Sequence, residues 1–208
     1  DFLLAAASCL VTGGVLWRVT LPHKRELRSR DGFLLVTLGW ILMSAIGSIP
    51  LLVALPGLSF TDAFFETLSG LSTTGATVLV GIEHLPPSIN LWRHALQWYG
   101  GMGIIVLVVA ILPLLGVGGM QMYKAETPGP MKTDKLTPRI AQTAKALWFV
   151  YFLITVACIV ALHVAGMEWF DAICHAFSTL SLGGFSTYDA SVGHFESPHI
   201  EAVLIVFM

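Results

Sequence analysis

The run at residues 61–77 has the residue types and spacing most suggestive of chemistry, since an apolar segment with two acids precedes a cluster of small polar residues. Asp62 and Glu66 bracket the apolar part, so this half could form a short helix. The second half is mostly Ser, Thr and Gly, which suits exposed backbone. A short helix followed by free carbonyl groups is how channels bind a dehydrated cation.

The same pattern occurs a second time, 109 residues later in the chain. This shift aligns Asp62 with Asp171 and Gly75 with Gly184, and it gives six identities in the fifteen pairs from 62 to 76. Internal duplication is common in transporter folds. The second copy, at residues 181–186, offers backbone oxygens but fewer hydroxyl groups. Backbone rather than side chain is therefore the ligand that both copies share.

The composition places these two segments in a membrane protein. The chain has 208 residues and a mean hydropathy of +0.78, and only 12% of its residues are charged, which is outside the usual soluble range. Residues 32–61 and 94–123 each lack acidic and basic charges over thirty positions, and residues 146–167 do so over twenty-two. Each exceeds the roughly 20 residues that cross a bilayer core. The sequence predicts an all-α polytopic membrane protein, and we expect it to be a fragment of a longer chain.

The distribution of basic residues indicates how the first suggestive segment meets the membrane. Nine of the eleven Lys and Arg residues fall in two stretches, 24–30 and 124–145, and the positive-inside rule places both on the cytoplasmic side. Residues 67–82 are uncharged but only sixteen long. If they crossed the membrane, the two basic stretches would lie on opposite faces. A segment that enters and returns keeps both inside, so the sequence predicts re-entry.

Acidic residues lie on the outer side under this topology, among them Asp62, Glu66 and Asp171. We expect these three to act as vestibule or pore-helix charges, because an acidic vestibule would concentrate cations at a pore mouth. The alternative is that outer loops poor in basic residues simply follow from the positive-inside bias.

Non-helical backbone at membrane depth is tolerated only where protein covers it or where it lines a water-filled cavity. The two re-entrant loops should therefore face a cavity, with their carbonyl oxygens as cation ligands. The negative end of each preceding helix dipole would point at the same place and favour a cation. The candidate ligands are Thr73, Thr74, Gly75 and Ala76 in the first loop and Leu182, Gly183, Gly184 and Phe185 in the second.

Four segments carry a resemblance to a known family, namely residues 61–80, 97–103, 125–130 and 183–187. They resemble the TrkH/KtrB superfamily of bacterial potassium uptake proteins, and its TrkH members most of all. The likeness covers nearly the whole chain and implies a pseudo-fourfold pore built from four repeats of helix, pore helix and helix. It also implies that filter backbone oxygens hold potassium, with Gly75 and Gly184 as the single filter glycines of the first two repeats.

The resemblance also implies an organisation, a location and partners. We expect a homodimer in the bacterial inner membrane, in contact with lipid, with a TrkA-type nucleotide-binding regulatory ring docked on the cytoplasmic side and no nucleic acid partner. No covalently bound cofactor is expected, and K⁺ enters only as the transported ion. With two repeats of four, this fragment alone should not conduct. The predicted units are a remnant of an N-terminal helix and a basic linker (1–30), a first pore repeat (31–117, pore loop 61–80), a cytoplasmic loop (118–145) and a shortened second repeat (146–208, pore loop 169–187).

Other functional classes fit the residues less well. A proton- or sodium-coupled cation symporter is the alternative, but it normally requires an ionisable residue inside a spanning helix, and His163 near a helix end is the candidate. A purely structural subunit gives no reason for paired Gly-centred loops. An enzyme is not expected, because no nucleophile, base and orienting group converge in a motif. The run Gly100-Gly101-Met102-Gly103 lacks the Lys and the strand of a P-loop and favours close helix packing.

Overall fold

The protein is described by a computed structural model for residues 2–20, 29–111 and 136–208, and the regular structure in these ranges is entirely helical. The all-α prediction is confirmed for this part of the chain. Most of the predicted cytoplasmic loop and of the basic linker lies outside the described residues. The helices are α1 (Phe2–Thr20), α2 (Ser29–Gly47), α3 (Ile49–Ala54), α4 (Phe60–Leu71), α5 (Pro87–Ile111), α6 (Leu136–Val164), α7 (Trp169–Leu180) and α8 (Pro198–Phe207), with short 3₁₀ turns at Ile82–His84 and Ser191–Phe195.

Within the described ranges, two helical segments are long and apolar enough to cross a membrane, Val36–Ala54 and Gln142–Val164. The first contains the junction between α2 and α3, where Pro50 occupies the start of α3. Proline is tolerated in a first helical turn but cannot continue the hydrogen-bond ladder of a preceding helix. Helix α2 therefore ends at Gly47, and a separate helix begins at Ile49. Helix α5 has 25 residues, a length of about 37 Å at the usual rise per residue.

The two short helices α4 and α7 have 12 residues each. At about 1.5 Å per residue they are about 18 Å long, whereas the hydrocarbon core is about 30 Å thick. Neither helix can cross a membrane alone. Helix α4 begins with a side-chain cap, because the Ser59 hydroxyl oxygen accepts the Asp62 N–H at 3.1 Å and its proton is donated to the Asp62 carboxylate at 2.7 Å.

Helix α5 is the central element, since it packs against α4, α6 and α7. Glycines permit the close approach on two sides. A Cβ at Gly100 would collide with the carbonyl of Leu71, and a Cβ at Gly101 would come within 2.9 Å of the Ser181 Cβ. The predicted packing role of the Gly100–Gly103 run is confirmed at these two positions. Helix α5 therefore touches the end of α4 on one side and the residue that follows α7 on the other.

Candidate functional site in two matched loops

The backbone that follows α4 matches the backbone that follows α7. Thr73 and Gly75 have φ values of 55° and 75°, and their counterparts 109 residues later, Leu182 and Gly184, have φ values of 56° and 84°. Left-handed backbone is uncommon for residues other than glycine. Each loop has a non-glycine residue with positive φ followed two positions later by a glycine with positive φ. The sequence repeat is therefore also a structural repeat.

The amide hydrogen bonds of the two loops match as well. In the first loop the N–H groups of Ser72, Thr73 and Thr74 donate to the carbonyls of residues 68, 70 and 69 at 2.8–3.0 Å. In the second loop the N–H groups of residues 181, 182 and 183 donate to the carbonyls of residues 177, 179 and 178 at 2.8–3.4 Å. These bonds close the C-terminal ends of α4 and α7. They also turn the positive N–H dipoles back into the helices.

The loop carbonyls, by contrast, have no such partners. Among the described residues, no N–H or O–H group donates a hydrogen bond to the carbonyls of residues 73–76 or 182–184. A carbonyl without a protein donor needs water or a cation. Thr74, Ala76, Leu182 and Gly184 are exposed, whereas Gly183 and Phe185 are buried. The arrangement offers oxygen ligands of the kind that hard, weakly bound cations use.

The two loops touch each other. A Cβ at Gly75 would collide with the carbonyl group of Gly183, whereas a Cβ at Gly184 would meet nothing within 4 Å. The structure therefore brings the two groups of predicted ligands together, although they are more than a hundred residues apart in the chain. Glycine is required at 75 for two reasons, its left-handed φ and the proximity of the second loop.

The first loop returns along α4 and is held there by a buried carboxylate. Glu66 accepts hydrogen bonds from the Thr77 hydroxyl at 2.9 and 3.0 Å and from the Val78 N–H at 3.1 Å. It also forms an ion pair with Arg93 at 2.7 Å, and each of these two side chains is 1% exposed. The chain therefore reverses after Leu71, and the re-entry of this segment into the membrane stays a prediction.

The second loop returns along α7 in the same way but with different groups. Asp171 accepts hydrogen bonds from the Thr187 hydroxyl at 2.7 Å and the Tyr188 hydroxyl at 3.1 Å. His175, the counterpart of Glu66, lies 3.0 Å from the Ser186 hydroxyl through Nε2 and 2.8 Å from the Asp171 carbonyl through Nδ1. Neutral hydrogen bonds replace the ion pair of the first copy at this position.

The acids that we expected at a vestibule occupy different environments. Asp62 is partly exposed and hydrogen-bonds to Ser59, the N-cap of α4, whereas Glu66 and Asp171 are buried beneath the returning chain. Both lie on the short helices that precede the loops, and their role as vestibule or pore-helix charges stays a prediction. Their carboxylates hold the returning chain in place. The physical reason is that a buried carboxylate needs hydrogen-bond donors, and the returning chain supplies them.

Outside the loops, Asp189 links the two copies. Its carboxylate accepts the N–H groups of Gly81 at 2.7 Å and Ile82 at 3.0 Å, and its own N–H donates to Glu83 at 3.3 Å. The hydrogen bonds from Ile82 and Gly81 lower the pKa of the Asp189 carboxyl group below its ordinary value. No group of three His, Cys, Asp or Glu residues able to hold a metal is found in the described part of the chain.

Three polar residues of α5 have roles that the sequence analysis did not assign. Asn90 donates to the Ile82 carbonyl at 2.9 Å, Arg93 pairs with Glu66, and Gln97 accepts the Ser178 hydroxyl at 2.6 Å. All are buried. A signal was available, because residues 90, 93, 94 and 97 recur at helical spacing and form a polar stripe in an apolar segment. Their partners depend on the reversal of the loops.

The chain is similar to known transport proteins over its whole length. A family model described as "Cation transport protein" (TrkH) matches residues 1–208. The Trk system potassium uptake protein TrkH of Vibrio parahaemolyticus is 58% identical over 200 residues, which are 96% of this chain and 41% of the relative. TrkG of Escherichia coli K12, also named a potassium uptake protein, is 50% identical over 192 residues.

A solved structure gives the same result. The crystal structure of the potassium transporter TrkH from Vibrio parahaemolyticus superimposes with a TM-score of 0.83 at 50% sequence identity, covering 99% of this chain and 41% of that one. The chain thus spans about two fifths of the length of these relatives. Their names describe transport proteins, so the interpretation as a transport protein rather than an enzyme agrees with them.

Proposed function

Because the chain belongs to the TrkH family of cation transport proteins, we propose that it is part of a membrane protein that takes up potassium through a channel-like pore. The carbonyls of residues 73–76 and 182–185 form part of the selectivity filter. The names of the relatives, which are potassium uptake proteins, support potassium as the transported ion. The family also supports a location in the bacterial inner membrane, with several crossings.

One observation carries this proposal, namely the repeated loop geometry. The N–H groups that follow α4 and α7 are bound to the helix ends, while the carbonyls of residues 73–76 and 182–184 lack protein donors within the described residues. Such a loop presents negative dipoles and hides positive ones, so it attracts cations and repels anions. The C-terminal ends of α4 and α7 add to the same field. A packing loop would have no need for this asymmetry in two separate copies.

The test is the ion discrimination of the full-length protein carrying Gly75→Ala, measured as potassium and sodium uptake into proteoliposomes. An alanine at this position would have to adopt the left-handed backbone conformation of Gly75, and its methyl group would displace the Gly183 carbonyl. We expect the potassium-to-sodium uptake ratio to fall by about tenfold or more. A tenfold fall corresponds to a loss of about 1.4 kcal/mol of discrimination. Gly166→Ala is the matched control, because Gly166 also has a positive φ (109°) but lies outside both loops.

The outcomes separate the two possible roles of Gly75. If Gly75→Ala folds and discriminates as well as the Gly166→Ala control, Gly75 is a packing residue and the filter proposal is wrong. The potassium-to-sodium uptake ratio of Gly184→Ala should lie between those of Gly75→Ala and Gly166→Ala. Residue 184 also has left-handed backbone, but no described neighbour lies within 4 Å of the new methyl group. Uptake that depends on a proton or sodium gradient would instead favour the coupled symporter.

We also propose that the membrane subunit forms a homodimer and binds a TrkA-type regulatory ring on its cytoplasmic side. The support is the family and the basic composition of residues 124–145, which suits an acidic or anionic partner surface. Simultaneous replacement of Lys124, Lys132, Lys135 and Arg139 by Gln should weaken ring binding in a pull-down with the full-length protein. Unchanged binding would remove this loop from the proposed interface.

A further inference from the structure

The polar stripe of α5 contacts both filter loops from behind. Gln97 is buried, and its Oε1 accepts the Ser178 hydroxyl at 2.6 Å and the Phe185 N–H at 3.3 Å. Because a backbone N–H can only donate, the oxygen of the carboxamide must face Phe185, which fixes the orientation of the amide. One atom of the first repeat therefore holds both the last turns of α7 and the end of the second loop.

Gln97 also lies against the residue that joins the two loops. A Cβ at Gly183 would come within 2.6 Å of the Gln97 carboxamide atoms, so only glycine leaves room for this side chain. On its other side, Gly183 directs its carbonyl at Gly75. The second loop is thus confined between Gln97 and the first loop. A shift of the carboxamide would move the Gly183 carbonyl relative to Gly75.

Arg93, one helical turn before Gln97, makes the corresponding connection nearer the outer ends of the loops. Its guanidinium group donates to Glu66 at 2.8 Å and to Thr77 at 3.3 Å in the first repeat. It also donates to the Ser186 carbonyl at 3.5 Å and lies 4.3 Å from the centre of the Phe185 ring in the second. A planar group with several donors can make these contacts at once, whereas an ammonium group cannot.

We propose that Gln97 and Arg93 form a clamp that fixes the two filter loops relative to each other and thereby sets ion discrimination. The inference rests on the proposed function, since it concerns the same loops. Both are positioning residues, because they touch the loops from behind and not the ion. Their effect follows from the sensitivity of a carbonyl site to small displacements of its ligands.

The first experiment compares Gln97→Met with Gln142→Met in the full-length protein reconstituted into liposomes. Methionine has a similar length but cannot accept either hydrogen bond. Gln142 lies on the exposed side of α6 and receives the same chemical change. With equal amounts of folded protein, we expect Gln97→Met to lower the potassium-to-sodium uptake ratio by about tenfold, the size expected for two lost hydrogen bonds. Gln142→Met should keep the wild-type ratio.

A milder variant keeps the proposal testable if Gln97→Met does not fold. Ser178→Ala removes one of the two hydrogen bonds to Oε1 and leaves the other. We expect a ratio lowered by about threefold, because one hydrogen bond has about half the effect on a logarithmic scale. A folded variant of either kind with the wild-type ratio would overturn the clamp.

Arg93→Lys tests the second half of the clamp. Lysine keeps the charge beside Glu66 but cannot also reach Thr77 and Ser186. The potassium-to-sodium uptake ratio should therefore fall, although the variant still folds. Arg18→Lys, on the exposed surface of α1, is the control and should have no effect. If Gly75→Ala lowers discrimination but Gln97→Met and Arg93→Lys do not, only the clamp is wrong. If none of them changes discrimination, the filter proposal fails as well.

Discussion

The two matched loops share a backbone conformation but differ in the chemistry that supports it. The first returns over a buried ion pair between Glu66 and Arg93, and the second returns over neutral hydrogen bonds of His175 and a carboxylate, Asp171, that accepts two hydroxyl groups. The left-handed residues and the closing amide bonds coincide nonetheless. The comparison teaches that the repeat preserves the course of the main chain, while the side chains behind it have diverged.

This difference predicts that the two loops respond unequally to the loss of one supporting side chain. Replacing one partner of a buried ion pair leaves the other charge without compensation, which costs about 3–5 kcal/mol. Glu66→Gln should therefore lower the free energy of unfolding strongly, as measured by thermal or denaturant unfolding of the full-length protein in detergent. His175→Gln should cost about 1–2 kcal/mol, the usual range for disturbed neutral hydrogen bonds.

A double variant separates the unpaired charge from the lost contact. Glu66→Gln combined with Arg93→Met removes both charges, so the double variant should be more stable than Glu66→Gln alone. If the double variant is instead the less stable of the two, burial of an unpaired Arg93 is not the cause of the loss. Equal losses in Glu66→Gln and His175→Gln would contradict the comparison between the two loops.

The next largest effect concerns how closely each loop approaches α5. At Gly100 an added methyl group collides with the backbone carbonyl of Leu71, which ends α4, whereas at Gly101 it meets the Ser181 side chain first, at 2.9 Å. The overlap at Gly100 is the more severe one, because the Ser181 Cβ, although it moves only with its own backbone, lies farther from the added methyl group. Gly100→Ala should cost about 1–3 kcal/mol of unfolding free energy through overpacking, and Gly101→Ala should cost less.

Gly103→Ala is the control for these two substitutions. It lies on the same helix, and its nearest neighbour, the Trp40 ring, is at 3.9 Å, an ordinary contact distance. We expect little change in unfolding free energy for this variant. A Gly101→Ala variant less stable than Gly100→Ala would show that α5 is fitted more tightly to the second loop than to the first.

The course of the chain could be predicted from the sequence because it depends on local and statistical signals. The internal repeat, the short apolar segments and the positions of the basic residues together indicate two loops at which the chain reverses. The packing role of Gly100 and Gly101 followed from their apolar context in the same way. These signals are carried by residue type and spacing alone.

The partners of the buried polar groups could not be predicted in this way. By sequence, Glu66 was one of several outer acids, and Arg93 was one of the two basic residues outside the basic stretches. Their pairing joins residues 27 positions apart, and that of Gln97 with Ser178 joins residues 81 positions apart. Each pair forms only after the loops reverse and pack on α5. A polar stripe indicates that partners exist, but the fold determines which they are.

The smallest expected effect concerns the link between the outer ends of the two repeats. Asp189 accepts the N–H groups of Gly81 and Ile82, and these bonds lower its pKa from the ordinary 3.8. A carboxyl group with a lowered folded pKa stabilises the protein above its unfolded pKa and loses this contribution as pH falls through the folded value. Wild type should therefore be more stable than Asp189→Asn at neutral pH, and the difference should shrink below a pH of about 4. Unfolding temperatures of both proteins between neutral and acidic pH measure this, and a difference that persists unchanged in acid would assign the effect of Asp189 to packing rather than charge.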